Sequence, residues 1–210
     1  AGEGTDEVRT ALADATIGAN IEILTGNRAG GQTLRGNALS NVLNGGAFAD
    51  ILRMEAGGSD TARGGAGNDA LIFGAALDAL DTVDGGAGTD QLGLQGNYAA
   101  YLFGASNLTG IETLALLSGS DNRFGDTSGA FYSYNLTTRD ANVAAGTQLV
   151  VNMNGLRSGE NVTFDGSAET DGNFFFYGGA GTDNLTGGSG GDSFFFGAGL
   201  FSATDRVVGG

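Results

Sequence analysis

The sequence predicts an all-β repeat fold, a solenoid of short strands joined by glycine turns. Two observations carry this. A nine-residue pattern, Gly-Gly-x-Gly-x-Asp-x-apolar-x, recurs as GGAGNDALI (64–72), GGAGTDQLG (85–93), GGAGTDNLT (178–186) and, directly after, GGSGGDSFF (187–195). The 41 glycines among 210 residues therefore fall at a fixed period, which marks a repeat architecture rather than a flexible linker.

The register extends beyond these copies. AGEGTDEVR (1–9) is one copy, with Asp6 and Val8 at the acidic and apolar positions. A less regular stretch follows to Thr33, in which Ile21, Ile23 and Leu24 read as an inserted strand. Successive repeats then supply Asn41 with Leu43, Asp50 with Leu52, Asp60 with Ala62, Asp69 with Leu71, Asp81 with Val83 and Asp90 with Leu92. Every second repeat forms a column: Asn41, Asp60, Asp81 and Asp50, Asp69, Asp90. Both columns step by 19 and then 21 residues, an 18-residue coil lengthened first by Met54 and then by residues 73–75. Two columns kept in step by shared insertions imply stacked coils.

Between 94 and 172 the nonapeptide lapses. ETLALLS (112–118), FYSYNLTT (131–138), TQLVVNM (147–153) and NVTF (161–164) read as strands, either of a continuing solenoid or of a small sandwich. The second repeat block holds Asp183, Asp192 and, less regularly, Asp205; Asp165, 18 residues before Asp183, is a candidate extension of that column. The chain thus divides into 1–35, an irregular coil with one repeat; 36–93, the first block; 94–172, the β-rich central segment; and 173–210, the second block. The closing Gly209 and Gly210 read as the opening of a further repeat, so the expected parent is a longer protein.

The motif has a chemistry. Paired glycines let the chain reverse sharply and aim carbonyl oxygens inward. An aspartate two residues later adds a carboxylate, so two stacked loops enclose a point with oxygen ligands only. Calcium takes six to eight such ligands in tolerant geometry, whereas magnesium demands a stricter octahedron. Zinc or copper would want nitrogen or sulfur, and the chain has neither histidine nor cysteine.

These residues resemble the RTX, or haemolysin-type, calcium-binding repeat, over about 36–93 and 178–208 with an outlying copy at 1–9. The resemblance implies a parallel β-roll in which each ion sits between loops two repeats apart. The implied bridges are Asn41/Asp60, Asp60/Asp81, Asp50/Asp69, Asp69/Asp90 and Asp183/Asp205. Carbonyls of Gly65, Gly67, Gly86, Gly88, Gly179, Gly181, Gly188 and Gly190 are expected to complete the shells, with Asp192 in the last loop. Three departures weaken the pattern: Asn41 is neutral, Phe48 replaces a loop glycine, and residues 76–80 contain no glycine.

Composition narrows the function. A net charge of -15, with arginine as the sole basic residue type, argues against nucleic acid. No apolar run is long enough to span a bilayer as a helix, so membrane insertion is not expected. Residues 187–191 fit a GxSxG elbow, yet no histidine is present to serve as base, so catalysis is not expected. Sequons at Asn107, Asn135, Asn161 and Asn184 are compatible with ordinary strand composition. The expected function is a non-catalytic, calcium-binding structural module of a secreted or cell-surface bacterial protein, of surface-layer, filament or adhesin type. The resemblance implies export unfolded by a type I system and folding on extracellular calcium. The alternatives are a C-terminal folding and secretion module of an enzyme whose catalytic domain lies outside this chain, or a carbohydrate-binding module resting on acidic residues and on Tyr98, Tyr101, Tyr132, Tyr134 and Tyr177 as sugar-stacking candidates. Expected partners are calcium, a further copy of the chain, or cell-surface polysaccharide.

Overall fold

The computed structural model describes residues 4–210; the opening of the first expected repeat lies outside them. Two compact units are distinguished, one holding the chain up to Gly93 with Ser106–Ile111, the other Leu94–Ala105 and Glu112–Gly210. Both are built of parallel strands.

In the first unit, β1 (Glu7–Thr10), β3 (Ile23–Gly26), β5 (Val42–Gly46), β7 (Thr61–Ala66) and β9 (Thr82–Ala87) form one parallel sheet. The intervening strands β2 (Asp14–Thr16), β4 (Thr33–Arg35), β6 (Ile51–Arg53), β8 (Ala70–Gly74) and β10 (Gln91–Leu94) lie side by side as the second wall. Each strand pairs with the strand two further along the chain, the signature of a solenoid. Register brings the apolar repeat positions into ladders: Leu24, Leu43, Ala62 and Val83 on one wall, Leu34, Leu52 and Leu71 on the other. With Leu92, all are buried. The irregular stretch after Thr10 is thus an ordinary part of the coil.

The two insertions are absorbed by the core. Met54 is fully buried, and its N–H donates to the Ile72 carbonyl at 2.7 Å. Phe73 is likewise buried, and Gly74 turns the chain at φ +58°. Beyond β9, residues 106–111 fold back as a further rung: Gly85 N–H donates to Thr109 O at 2.9 Å, and Thr109 bridges Asp84 in parallel.

The second unit repeats the plan. Its sheets are β11 (Tyr98–Leu102), β13 (Tyr134–Thr137), β15 (Val162–Asp165), β17 (Asp183–Thr186), β19 (Arg206–Val208), and β12 (Thr113–Leu116), β14 (Gln148–Asn152), β16 (Asn173–Tyr177), β18 (Ser193–Phe195). Parallel pairing of β12 with β14 and of β13 with β15 makes the central segment a solenoid, not a sandwich. Its core is aromatic: Phe164 meets Phe174 and Phe176 edge-on at 5.4 and 5.2 Å, and Phe176 stacks on Phe194 at 4.9 Å. Phe174 and Phe176 are therefore core, while Phe195 is 55% exposed.

From β3 to β10 each strand of the first unit contributes only one or a few buried apolar side chains, so single ladder positions carry a large share of the stability. Leu71→Ala, at a fully buried rung, is expected to cost about 2–5 kcal/mol. Ile51→Ala, on a 37% exposed side chain, should cost under about 0.5 kcal/mol. Denaturant titration in calcium checks the difference.

Candidate metal centre

The turns place the acidic positions on two edges of the first unit. Passing from an odd to an even strand, the turns hold Asp50, Asp69 and Asp90; passing from even to odd, they hold Asn41, Asp60 and Asp81. All six are at most 2% exposed. One bond recurs along both edges: the backbone N–H of each acidic residue donates to Oδ1 of the next coil's aspartate. It joins Asp50 to Asp69 and Asp69 to Asp90 at 2.7 Å, Asn41 to Asp60 at 2.8 Å and Asp60 to Asp81 at 2.7 Å. In the second unit Asp183 N–H donates to Asp205 Oδ1 at 2.9 Å. Every pair that the spacing put together is adjacent.

The edges differ in the second carboxylate oxygen. On the first, Oδ2 of Asp50, Asp69 and Asp90 is buried without a hydrogen-bond partner, as is Oδ2 of Asp192 in the corresponding turn of the second unit. On the other edge that oxygen can close its own turn: Asp81 Oδ2 accepts from Asp78 N–H at 2.6 Å, and Asp205 Oδ2 from Ser202 N–H at 2.6 Å. Asp78 thereby closes a turn in which residues 76–80 contain no glycine. Asp183 lies between these cases, Oδ2 accepting from Gly179 N–H at 3.0 Å and Oδ1 left without a partner. A buried, unpartnered carboxylate oxygen is costly unless a cation meets it. The oxygens of the Asp50, Asp69, Asp90 edge therefore fit a hard metal best.

Glycine is required where these turns stack. A Cβ on Gly64 would lie 2.4 Å from both Asp69 Oδ2 and the Gly85 carbonyl, and one on Gly85 2.7 Å from Asp90 Oδ2. Gly65, Gly67, Gly86 and Gly88 have φ of +108°, +127°, +98° and +148°. A Cβ on Gly86 would lie 2.1 Å from Gly65 O, and one on Gly88 1.7 Å from Gly67 O. The motif glycines of the second block take no positive φ. Gly179 abuts Met153 and Leu156, Gly181 the Glu160 carbonyl, Gly188 Glu169 and Gly190 the Gly172 carbonyl. Identical GGAGTD sequences thus adopt different backbones, at 85–90 where β9 leads into β10 and at 178–183 where β16 leads into β17.

Burial sets the electrostatics. It pushes the Asp50, Asp69 and Asp81 carboxyls upward. It raises Asp60 to about 6, with Asp81 and Asp78 adding repulsion, and Asp183 to about 6, with Asp205 adding to it.

Two expectations are corrected and several residues are new. Asp165 does not extend the Asp183 column: it pairs with Thr186, while Val162 pairs with Asp183. Tyr98 and Tyr134 are buried and stack on each other at 6.1 Å, so they offer no face to a sugar. Gln32 extends the first edge, its N–H donating to Asp50 Oδ1 at 2.9 Å. Asn107 caps the other, its Nδ2 donating to Asp81 O at 2.8 Å. Neither belongs to a nonapeptide, so spacing gave no signal.

The family model of the RTX calcium-binding nonapeptide repeat, in four copies, matches residues 33–53, 56–92 and 170–199. RTX nonapeptide repeats bind calcium. Asp205 lies beyond the matched residues. Neither a curated protein nor a solved structure matches the chain.

Gly64→Ala is expected to cost about 1–3 kcal/mol through overpacking and to weaken calcium binding. Gly191→Ala, where a Cβ meets open space, should be neutral in the same calorimetric titration. The pH dependence of the metal-free chain follows from the raised carboxyls. Between the ordinary value of 3.8 and about 6 the folded chain keeps protons on Asp60 and Asp183 that the unfolded chain has released. Their contribution is present at low pH and is lost as pH rises through 6. Circular dichroism in calcium-free buffer should show more β signal at pH 4.5 than at pH 7.5; with calcium the order should reverse, since binding needs the ionised forms.

Proposed function

Because this chain is an RTX β-roll protein, we propose that it is a calcium-dependent, non-catalytic structural module of an extracellular bacterial protein. The observation that carries this is the row of buried Oδ2 atoms on Asp50, Asp69 and Asp90, none of which accepts a hydrogen bond. In this reading Asp50 with Asp69, and Asp69 with Asp90, hold the ions, and carbonyls of the turn glycines complete the shells. Asp192 and Asp183 serve the second block, and Asn41, Asp60, Asp81 and Asp205 the other edge.

What calcium supplies is charge neutralisation in the coil. The chain itself supplies preorganisation, since Oδ1 of Asp50, Asp69 and Asp90 is fixed by a backbone N–H, which aims Oδ2. At low calcium the stacked carboxylates repel, and the short apolar rungs do not compensate. At millimolar calcium, binding and folding occur as one linked step. That dependence suits a protein that leaves the cell unfolded and folds outside.

A surface-assembly role is favoured by Phe131, Phe195 and Phe201, which are 59, 55 and 57% exposed. Calcium-dependent multimers in light scattering support assembly, and a strict monomer supports an accessory folding module of a secreted enzyme.

Far-ultraviolet circular dichroism with and without chelator tests the main reading. Loss of β signal on chelation and its return with calcium are expected, and a signal unchanged by chelation overturns it. Asp69→Asn should move the calcium midpoint of folding up about tenfold, equivalent to ~1.4 kcal/mol.

A further inference from the structure

Two glutamates of the second unit, Glu160 and Glu169, are fully buried, and they are neutralised differently. Glu160 has a cation. Arg157 Nη2 donates to Oε1 at 3.0 Å and Arg157 N–H to Oε2 at 2.8 Å, while Gly119 N–H reaches Oε1 at 2.9 Å. Every oxygen of that carboxylate is accounted for.

Glu169 has the same burial and no such partner. Its Oε1 accepts three consecutive backbone N–H groups, from Thr170 and Asp171 at 3.1 Å and from Gly172 at 2.7 Å. The carboxylate is thus fastened into its own turn, which fixes where Oε2 points. Oε2 is buried and accepts no hydrogen bond. Among the described residues no arginine forms an ion pair with it. Two more carboxylates stand beside this glutamate instead: one oxygen from each of Asp140, Glu169 and Asp171 falls within 4.8 Å of the others. Asp140 is itself held, its Oδ1 accepting from Thr170 N–H at 2.9 Å and Thr170 Oγ1 at 2.6 Å.

We propose that Asp140, Glu169 and Asp171 form a calcium site separate from the nonapeptide turns. It joins the turn between β13 and β14 to the turn between β15 and β16. The donor set is oxygen only and carries three negative charges, which selects a hard divalent ion. Asp140 and Asp171 are exposed, so water can fill the remaining positions of calcium's six- to eight-coordinate shell, whose tolerant geometry suits carboxylates held by their own turns better than magnesium's strict octahedron. Backbone fit supports the assignment: a Cβ on Gly188 would lie 2.7 Å from Glu169 Cβ, and one on Gly172 3.2 Å from Glu169 Oε1. The glutamate is therefore walled in on both sides. The site bridges neighbouring coils where the repeat has lapsed, and it stands whether or not the nonapeptide loops bind as proposed.

Crystals of the full chain grown in millimolar calcium, with anomalous scattering, test this directly. A calcium peak within bonding distance of Glu169 is expected; no peak there, with peaks present in the nonapeptide loops, overturns the site. Peaks here but not in the loops would overturn the loop assignment alone. In solution, Asp140→Asn combined with Asp171→Asn keeps the acceptor for Thr170 and alters only exposed side chains. Calorimetry should show one calcium fewer per chain for this variant, folded in calcium by circular dichroism. An unchanged ion count overturns the proposal. Glu169→Gln, which retains an oxygen for the three N–H groups, should lose the same ion.

Discussion

A carboxylate that spends one oxygen on the backbone and leaves the other buried is the unit on which this structure depends. Along the Asp50, Asp69, Asp90 edge, Oδ1 receives a backbone N–H of the preceding coil, at 2.9 Å for Asp50 and 2.7 Å for Asp69 and Asp90, and Oδ2 accepts no hydrogen bond. The bond that stacks one coil on the next therefore also creates the need for a cation. Adding coils multiplies both the backbone bonds and the unpaired charge. A solenoid built this way is self-limiting without metal.

Glycine and the apolar rungs serve that arrangement. The coil is too narrow for a conventional core, so each wall contributes thin ladders such as Leu34, Leu52 and Leu71. The turns must close tightly enough to set the next coil's carbonyl where a Cβ would be, as Gly88 does against Gly67. In the second unit the balance moves from metal toward packing. Phe164, Phe174 and Phe176 fill the interior, and Arg157 neutralises one of the two buried glutamates.

Much of this was legible in the sequence because the repeat encodes it. Asn41, Asp60 and Asp81 advance by the same steps as Asp50, Asp69 and Asp90, and that synchrony predicts which residues stack. What the spacing cannot express is which oxygen is already occupied. Asp78 closes the turn at Asp81 through a local bond that no nonapeptide pattern contains. The cluster of Asp140, Glu169 and Asp171 is invisible for a related reason. Asp140 stands about 30 residues from the other two, in a turn that obeys no repeat, and the parallel pairing of β13 with β15 and of β14 with β16 brings the two turns to neighbouring coils. Asp165 shows the converse, since an 18-residue interval suggested a column that strand register does not form.

The central claim is that folding and ion uptake are one equilibrium. The most direct measurement is the unfolding free energy from denaturant titrations at a series of free calcium concentrations. Its slope against the logarithm of calcium counts the ions released on unfolding. The account predicts a stability that rises steeply with calcium, with a slope of more than one ion per chain. A stability independent of calcium across the micromolar to millimolar range would contradict it.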